Sequence, residues 1–136
     1  MRIPKVGDTA RRSMVVTEEH VDLFARMSGD RNPLHFDEQF ARATKFGRKV
    51  VHGGVTASIL NALIAEDLPG PGSVFMEQRL RYTAPVHPGD TITGELEVLK
   101  ARDDKPIYTV AVRVTRQDGV LVLEGECVVY VMRIQG

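Results

Sequence analysis

The sequence changes character abruptly at residues 68–72, and this change restricts the fold more than any other feature. Before the break, residues 53–66 are small or apolar on nearly every side of a predicted helix, as expected for an interior helix. The break itself, LPGPG, ends the helix because proline cannot continue the hydrogen-bond ladder. After it come four strand-like runs rich in Val, Ile, Thr, Leu and Tyr: residues 73–82, 91–102, 107–116 and 120–133.

The part of the chain before residue 53 predicts a short strand and two helices. Residues 12–16 favour a strand, and Thr17 is a good N-cap for a helix that should end at Gly29, where a left-handed residue is wanted. Asp37 can cap a further helix of one or two turns through Ala41. A loop over residues 44–49 then leads to the apolar helix.

This order of elements predicts an α+β fold in which one antiparallel sheet wraps around a long central helix. With 136 residues, the chain is expected to form a single domain, residues 1–136. Asp118-Gly119 predicts a type I′ hairpin between the last two strands. A single sheet leaves an edge strand and apolar surface uncovered, so we expect a homodimer or a dimer of dimers.

Composition excludes some classes of partner and favours one compartment. Lys and Arg number 18 against 18 Asp and Glu, so the basic surface of a nucleic-acid-binding protein is missing. No window reaches the ~18 apolar residues of a membrane span. The single cysteine, Cys127, fits a reducing compartment and is interpreted as a small apolar strand residue. We therefore predict a cytoplasmic protein with no nucleic-acid or membrane partner.

Asp30 and His35 are the first candidates for chemistry, in the stretch SGDRNPLH. Gly29 permits unusual backbone angles and Asn32-Pro33 favours a turn, so the loop can bring the two side chains together. A carboxylate beside an imidazole can deprotonate a water or return a proton, which contributes roughly 10²–10⁴ in rate. The alternative is that Asp30 only fixes the turn and His35 is a structural, half-buried histidine.

His52-Gly53-Gly54 lies where the apolar helix is predicted to begin. The first amides of a helix have no intrahelical acceptor, and the positive end of the dipole lies there. Two glycines let a ligand oxygen approach the backbone closely, as in an oxyanion hole, where one donor is worth ~3 kcal/mol. Alternatively, the glycines only let the helix pass tightly beneath the sheet.

Several motifs recur together in order along the chain: FARMSGDRNPLHFD from Phe24, FA at 40–41, HG at 52–53, LPG at 68–70, PV at 85–86 and GD at 89–90. Together they resemble the MaoC-like dehydratases, specifically the (R)-specific enoyl-CoA hydratases. The resemblance extends over nearly the whole chain, and its GDxNPLH core is a specific signature. It implies the hot-dog fold, which agrees with the architecture predicted above.

The resemblance implies that Asp30 and His35 are the catalytic pair, that Asn32 braces the loop or the water, and that Gly53 gives its N–H to the thioester oxygen. Asn61 occupies a position where some members have a serine, so polar support there would come from an amide. The implied reaction is the reversible hydration of a trans-2-enoyl thioester to a (3R)-3-hydroxyacyl thioester. We expect coenzyme A, or alternatively acyl carrier protein, as the carrier of the substrate, and no metal or redox cofactor.

Two other functions fit the same fold and ligand: hydrolysis of acyl-CoA thioesters, and a non-catalytic subunit that binds acyl thioesters. Gly54 stands where the family usually has a larger apolar residue, which affects the shape of the pocket. Arg48 and Lys49 precede the central helix and suit phosphate oxygens of coenzyme A, although a solvated surface pair is the alternative.

Overall fold

The computed structural model describes residues 3–133 and confirms the predicted α+β class. A five-stranded antiparallel sheet packs against the helix that begins at Gly53. The elements, in chain order, are β1 Thr9–Val15, α1 Glu18–Ser28, α2 Pro33–Phe36, α3 Glu38–Arg42, α4 Gly53–Ala62, a π-helical segment Leu63–Asp67, β2 Ser73–Tyr82, β3 Thr91–Ala101, β4 Ile107–Arg116 and β5 Leu121–Val131.

The sheet has the order β1-β3-β4-β5-β2, so β1 and β2 are its edge strands. Buried residues alternate along β3 and β4, as a strand with one face on the core requires. They form one hydrophobic cluster with the buried side chains of α4, including Ile59 and Leu60. Each such side chain contributes roughly 1.5–3 kcal/mol through burial, so the sheet holds α4, and with it Gly53, in a fixed position.

The central helix differs from its prediction in two ways. We expected an interior helix, but α4 is buried on one side only: Val55, Thr56 and Ile59 are buried while Ser58 and Asn61 are exposed. The reason is that one sheet covers only one face of a helix. The helical path does continue past residue 62, as predicted, but its last turn is a π-helix. No helix in the described residues is long and apolar enough to cross a bilayer.

The short-range signals before residue 53 are largely confirmed. The Thr17 side chain accepts a hydrogen bond from the His20 N–H, and the Thr17 N–H donates one to His20 Nδ1; this reciprocal pair begins α1. Gly29 ends α1 in the left-handed region with φ 79°, and Asp37 caps α3 through the N–H of Phe40. The first strand, Thr9–Val15, begins and ends earlier than the predicted residues 12–16.

The predicted type I′ turn between β4 and β5 is wrong. A type I′ turn needs positive φ at both central residues, yet no described residue other than glycine has a positive φ. Instead, the Gly119 N–H donates to the Arg116 carbonyl, and Gly119 itself has φ 83°. The connection is therefore a three-residue loop, in which only the glycine adopts the left-handed conformation.

Candidate active site

The loop after α1 is shaped by a succession of local hydrogen bonds. The N–H of Asp30 donates to Ser28 Oγ, and the N–H of Asn32 donates to Asp30 Oδ1, each at 3.1 Å. Asn32 Oδ1 then accepts from the Leu34 N–H and caps α2, with Pro33 at its first position. We did not predict this short helix, although an asparagine cap followed by proline is its usual signal.

This loop brings Asp30 and His35 together, as predicted. His35 Nδ1 is 2.7 Å from the carbonyl oxygen of Val50, so this nitrogen carries the proton and donates it. In the neutral ring, Nε2 is therefore an acceptor, and it lies 3.9 Å from Asp30 Oδ2. That separation is too long for a direct hydrogen bond, but a water about 2.8 Å from each atom could donate one hydrogen to each. The His35 side chain is 10% exposed and that of Asp30 is 47% exposed.

His52 is a third polar side chain in the site, and we did not predict a role for it. Its residue exposure is 2%, its ring centroid lies 3.8 Å from that of His35, and its Nε2 is 2.9 Å from the backbone carbonyl of Asp30. In the sequence it stood out only as the residue before two glycines. The available signal was its place just before an apolar helix, where a histidine is expensive to bury without a partner.

Asp30, His35 and His52 also form a cluster of potential metal ligands. One ligand-type atom from each lies within 4.8 Å of the other two. However, His35 Nδ1 and His52 Nε2 are already committed to backbone carbonyls. A metal shared by all three through His52 Nε2 would break the bond to Asp30, so the arrangement suits proton transfer better. That the reaction needs no metal stays a prediction.

The start of α4 supplies free backbone donors next to a cavity. The N–H groups of Gly53 and Gly54 have no acceptor within residues 3–133. A cavity of about 640 Å³ lies beside Gly53, and Val50, whose carbonyl binds His35, also lines it. Its remaining walls are largely apolar or aromatic, including Phe46, Val86 and Tyr82. The cavity therefore suits an acyl chain or a thioester with its oxygen at the helix start.

Tyr82 forms the wall of this cavity that lies over Gly53. A Cβ atom on Gly53 would be 2.9 Å from the nearest atom of the Tyr82 ring, so glycine permits the close approach. Burial of part of the ring raises the pKa of the Tyr82 hydroxyl, which remains protonated at neutral pH.

A larger concavity, about 1310 Å³, lies on the face of the sheet away from this site. Charged side chains from all five strands line it, and Arg113 has Glu95 and Glu124 opposite it on the neighbouring strands. Rows of alternating charge suit a solvated sheet face rather than an apolar substrate. The smaller cavity beside Gly53 is therefore the better substrate site.

The structure explains why residue 54 is a glycine. A Cβ atom at residue 54 would overlap the tip of the Phe24 ring. That ring also packs against His52, with the two centroids 4.8 Å apart. Phe24 thus occupies the space that a larger residue at position 54 would take.

Of the remaining residues singled out in the sequence, one lies in the Asp30 loop and the others lie at the surface. Asn32 braces the loop as the cap of α2. Asn61 is exposed on α4, eight residues beyond Gly53 and so about 12 Å along the helix axis, and its side chain makes no hydrogen bond to the described part of the chain. Lys49 forms an ion pair with Glu18 at 3.1 Å, which favours the surface-pair interpretation, and Arg48 is exposed.

The chain is similar to known proteins over most of its length. Residues 4–120 match the model of the MaoC like domain. The chain is 44% identical to the (R)-specific enoyl-CoA hydratase of Aeromonas caviae over 92% of this chain and 93% of that protein. It is 35% identical to the protein of the same name from Rhodospirillum rubrum, over 93% of this chain and 88% of that one.

The fold is also shared with solved structures. The (R)-hydratase from A. caviae involved in PHA biosynthesis superimposes with a TM-score of 0.91 at 42% identity, covering 97% of this chain and all of that one. The sheet wrapped on a helix is thus the hot-dog fold, as the sequence motifs implied. By its matching domain model and its relatives, this chain belongs to the family of proteins with a MaoC-like domain.

Proposed function

We propose that this protein is an (R)-specific enoyl-CoA hydratase, which reversibly adds water to trans-2-enoyl-CoA to give (3R)-3-hydroxyacyl-CoA. The observation that carries the proposal is the convergence of His35 Nε2 and Asp30 Oδ2 at 3.9 Å, with His35 Nδ1 held by the Val50 carbonyl. This is the arrangement that a shared water requires. Similarity to two proteins named as hydratases of this specificity supports the same function.

In the forward reaction, the Asp30–His35 pair holds the water and takes one of its protons as the oxygen bonds to Cβ. Electrons of the Cα–Cβ double bond move toward the thioester oxygen, and the pair then returns a proton to Cα. Atoms balance, because the product gains one O–H at Cβ and one hydrogen at Cα. Water loss follows the same steps in reverse. General acid and base assistance of this kind contributes roughly 10²–10⁴ in rate.

The Gly53 N–H donates a hydrogen bond to the thioester oxygen and so stabilises the negative charge that develops there. It lies at the positive end of α4 and has no acceptor in the described part of the chain. In similar sites one such donor is worth ~3 kcal/mol of transition-state stabilisation. Asn32 supports the pair indirectly by capping α2. Asn61 would contact the substrate only if the acyl chain, or a substrate bound by a partner subunit, extends to the exposed side of α4.

The proposal also includes the carrier, the assembly and the compartment. The substrate is a coenzyme A thioester, with acyl carrier protein as the alternative carrier, and the base, proton donor and oxyanion donor all come from the chain without a metal or redox cofactor. A homodimer would cover the edge strand β2, where Val74 is 51% and Met76 58% exposed. The single cysteine, free and buried, fits the cytoplasm.

Incubation with crotonyl-CoA tests the function. We expect loss of the enoyl absorbance without release of free thiol, and a 3R product on chiral analysis. Release of thiol would instead indicate a thioester hydrolase, and tight binding without either change would indicate a non-catalytic subunit. A 3S product would contradict the proposal.

Two variants test the residues. Asp30→Asn and His35→Gln should each lower kcat by roughly 10²–10⁴, because each removes one half of the pair. Asp22→Asn, an identical chemical change at an exposed position of α1, is the matched control and should leave activity unchanged. Near-normal activity of either site variant would refute its assigned role.

A further inference from the structure

We propose that His52 is a positioning residue that holds Asp30, His35 and the start of α4 in one arrangement. The inference rests on the proposed hydratase function. A single ring makes both contacts: its Nε2 is 2.9 Å from the Asp30 carbonyl oxygen, and its face lies on the His35 ring at 3.8 Å between centroids. His52 bonds to the backbone carbonyl of Asp30 and not to its carboxylate, so the effect assigned to it is exerted through the pair.

The surroundings of His52 select one tautomer. The Asp30 carbonyl can only accept a hydrogen bond, so Nε2 must carry the proton. Nδ1 is buried and has no hydrogen-bond partner in the described part of the chain. His35 has the opposite tautomer, with its proton on Nδ1 directed to Val50. Because the proton of His35 is on Nδ1, its Nε2 keeps a lone pair that can accept a hydrogen bond from the water.

His52 also joins parts of the chain that are distant in sequence. The hydrogen bonds within residues 28–32 are local, to residues two positions away. The far end of the loop is tied to the segment before α4, because Val50 bonds to Leu34 and His35, but those bonds do not reach Asp30 itself. The bond from His52 spans 22 residues and attaches Asp30 to the residue that precedes Gly53. The His52 ring thus links the Asp30–His35 pair, which activates the water, to the Gly53 amide, which binds the thioester oxygen.

A displacement of about 1 Å between such groups can cost 10²-fold in rate. Losing the Nε2–H donor would also leave the Asp30 carbonyl without its partner at the helix start. We therefore expect changes at His52 to act mainly on kcat, because substrate binding depends on the cavity walls rather than on this ring.

A simple packing role is the competing explanation, since Phe24 and Phe36 also contact the His52 ring, at 4.8 and 6.2 Å between centroids. Three substitutions separate the two roles. His52→Phe keeps an aromatic ring on His35 but removes the donor. His52→Gln removes the ring but places an amide N–H four bonds from Cα, as far as Nε2. His52→Asn carries the same amide one bond short, so it is the matched control for His52→Gln.

We expect His52→Phe and His52→Asn to lower kcat for crotonyl-CoA hydration by about 100-fold, with KM within about threefold of the wild type. His52→Gln should recover at least about tenfold of that loss, because its N–H can reach the Asp30 carbonyl. Equal activity of the Gln and Asn variants, full activity of His52→Phe, or a loss confined to KM would overturn the proposal.

Nitrogen NMR of the histidine rings in the wild-type protein gives a test that needs no turnover. His52 should have its proton on Nε2 and His35 on Nδ1, with each signal assigned from a His→Gln variant. A proton on Nδ1 of His52 would overturn the inference even if the protein is a hydratase. Conversely, if the wild type does not hydrate enoyl-CoA, the proposed function fails while the tautomers still report whether His52 holds Asp30. If His52→Phe does not fold, the Gln and Asn pair and the wild-type spectrum decide.

Discussion

Substitution Gly54→Ala should destabilise the protein, although alanine normally favours a helix over glycine by roughly 0.5–1 kcal/mol. The reason is that the new Cβ would overlap the tip of the Phe24 ring, which lies against Gly54 and against the ring of His52. Overpacking of this kind costs about 1–3 kcal/mol; the overlap here is severe, so the upper half of that range applies, less about 1 kcal/mol of helix propensity. The net loss should therefore be about 1–2 kcal/mol in the free energy of unfolding.

This loss can be converted to a shift in melting temperature. At about 2.1 cal/mol/K per residue, a chain of 136 residues has an unfolding entropy of about 0.29 kcal/mol/K. The variant should therefore melt about 3–7 °C below the wild type. Because Phe24 contacts His52, hydratase activity should fall as well.

The decisive assay is a double-mutant cycle with Phe24→Leu, measured by thermal and urea unfolding at one protein concentration. Leucine removes the ring tip, so in this background Gly54→Ala should become stabilising and raise the melting temperature by about 2–3 °C. Gly53→Ala is the matched control. Its Cβ meets the Tyr82 ring, but Tyr82 is 52% exposed and can move toward solvent at lower cost.

The reversal of sign is the critical result. If Gly54→Ala has the same effect with phenylalanine and with leucine at position 24, the two side chains do not compete for space. The account of why this chain carries glycine at position 54 would then be wrong.

Two further predictions concern buried ionisable groups. Burial alone would raise the pKa of Asp90, but hydrogen bonds from Gln117 and the His87 N–H, with the charges of His87 and Arg48, lower it below its usual value. The folded state therefore gains stability from the Asp90 carboxylate above the unfolded pKa of about 3.9, and loses it as the pH falls through the lower folded pKa. Asp90→Asn should cost about 1.5–3 kcal/mol in the free energy of unfolding at pH 7 and less below pH 4, as measured by urea unfolding. Equal loss at every pH would contradict this. Burial raises the pKa of the Cys127 thiol to about 11, so iodoacetamide at pH 7.5 should label it only after denaturation, as mass spectrometry would show, and rapid labelling of the folded protein would refute its burial.

Much of the fold could be predicted from sequence because its signals are short-range. Alternating residues marked the four strands after residue 72, Thr17 and Asp37 marked helix starts, and Gly29 marked a helix end. These rules fail where several local solutions are available. Asp118-Gly119 satisfies a two-residue turn in sequence, but the strand register placed a three-residue loop there, with only Gly119 at positive φ.

The candidate site divides in the same way. The spacing of Asp30 and His35 and the glycine at the start of α4 follow from the local sequence, since a turn and a helix terminus are formed by adjacent residues. The contacts of His52 with Asp30, and of Gly54 with Phe24, join residues more than 20 positions apart. No local pattern encodes such contacts.

The sequence by itself therefore determined the order of the elements, the α+β class and the residue types available for chemistry. The tertiary structure decided which ring nitrogen of His35 faces Asp30, which face of α4 is covered, and that Asn61 lies exposed about 12 Å along the helix from Gly53. The physical reason is that hydrogen-bond direction and burial depend on how distant segments pack together. Helix and strand propensity depend mainly on neighbours along the chain.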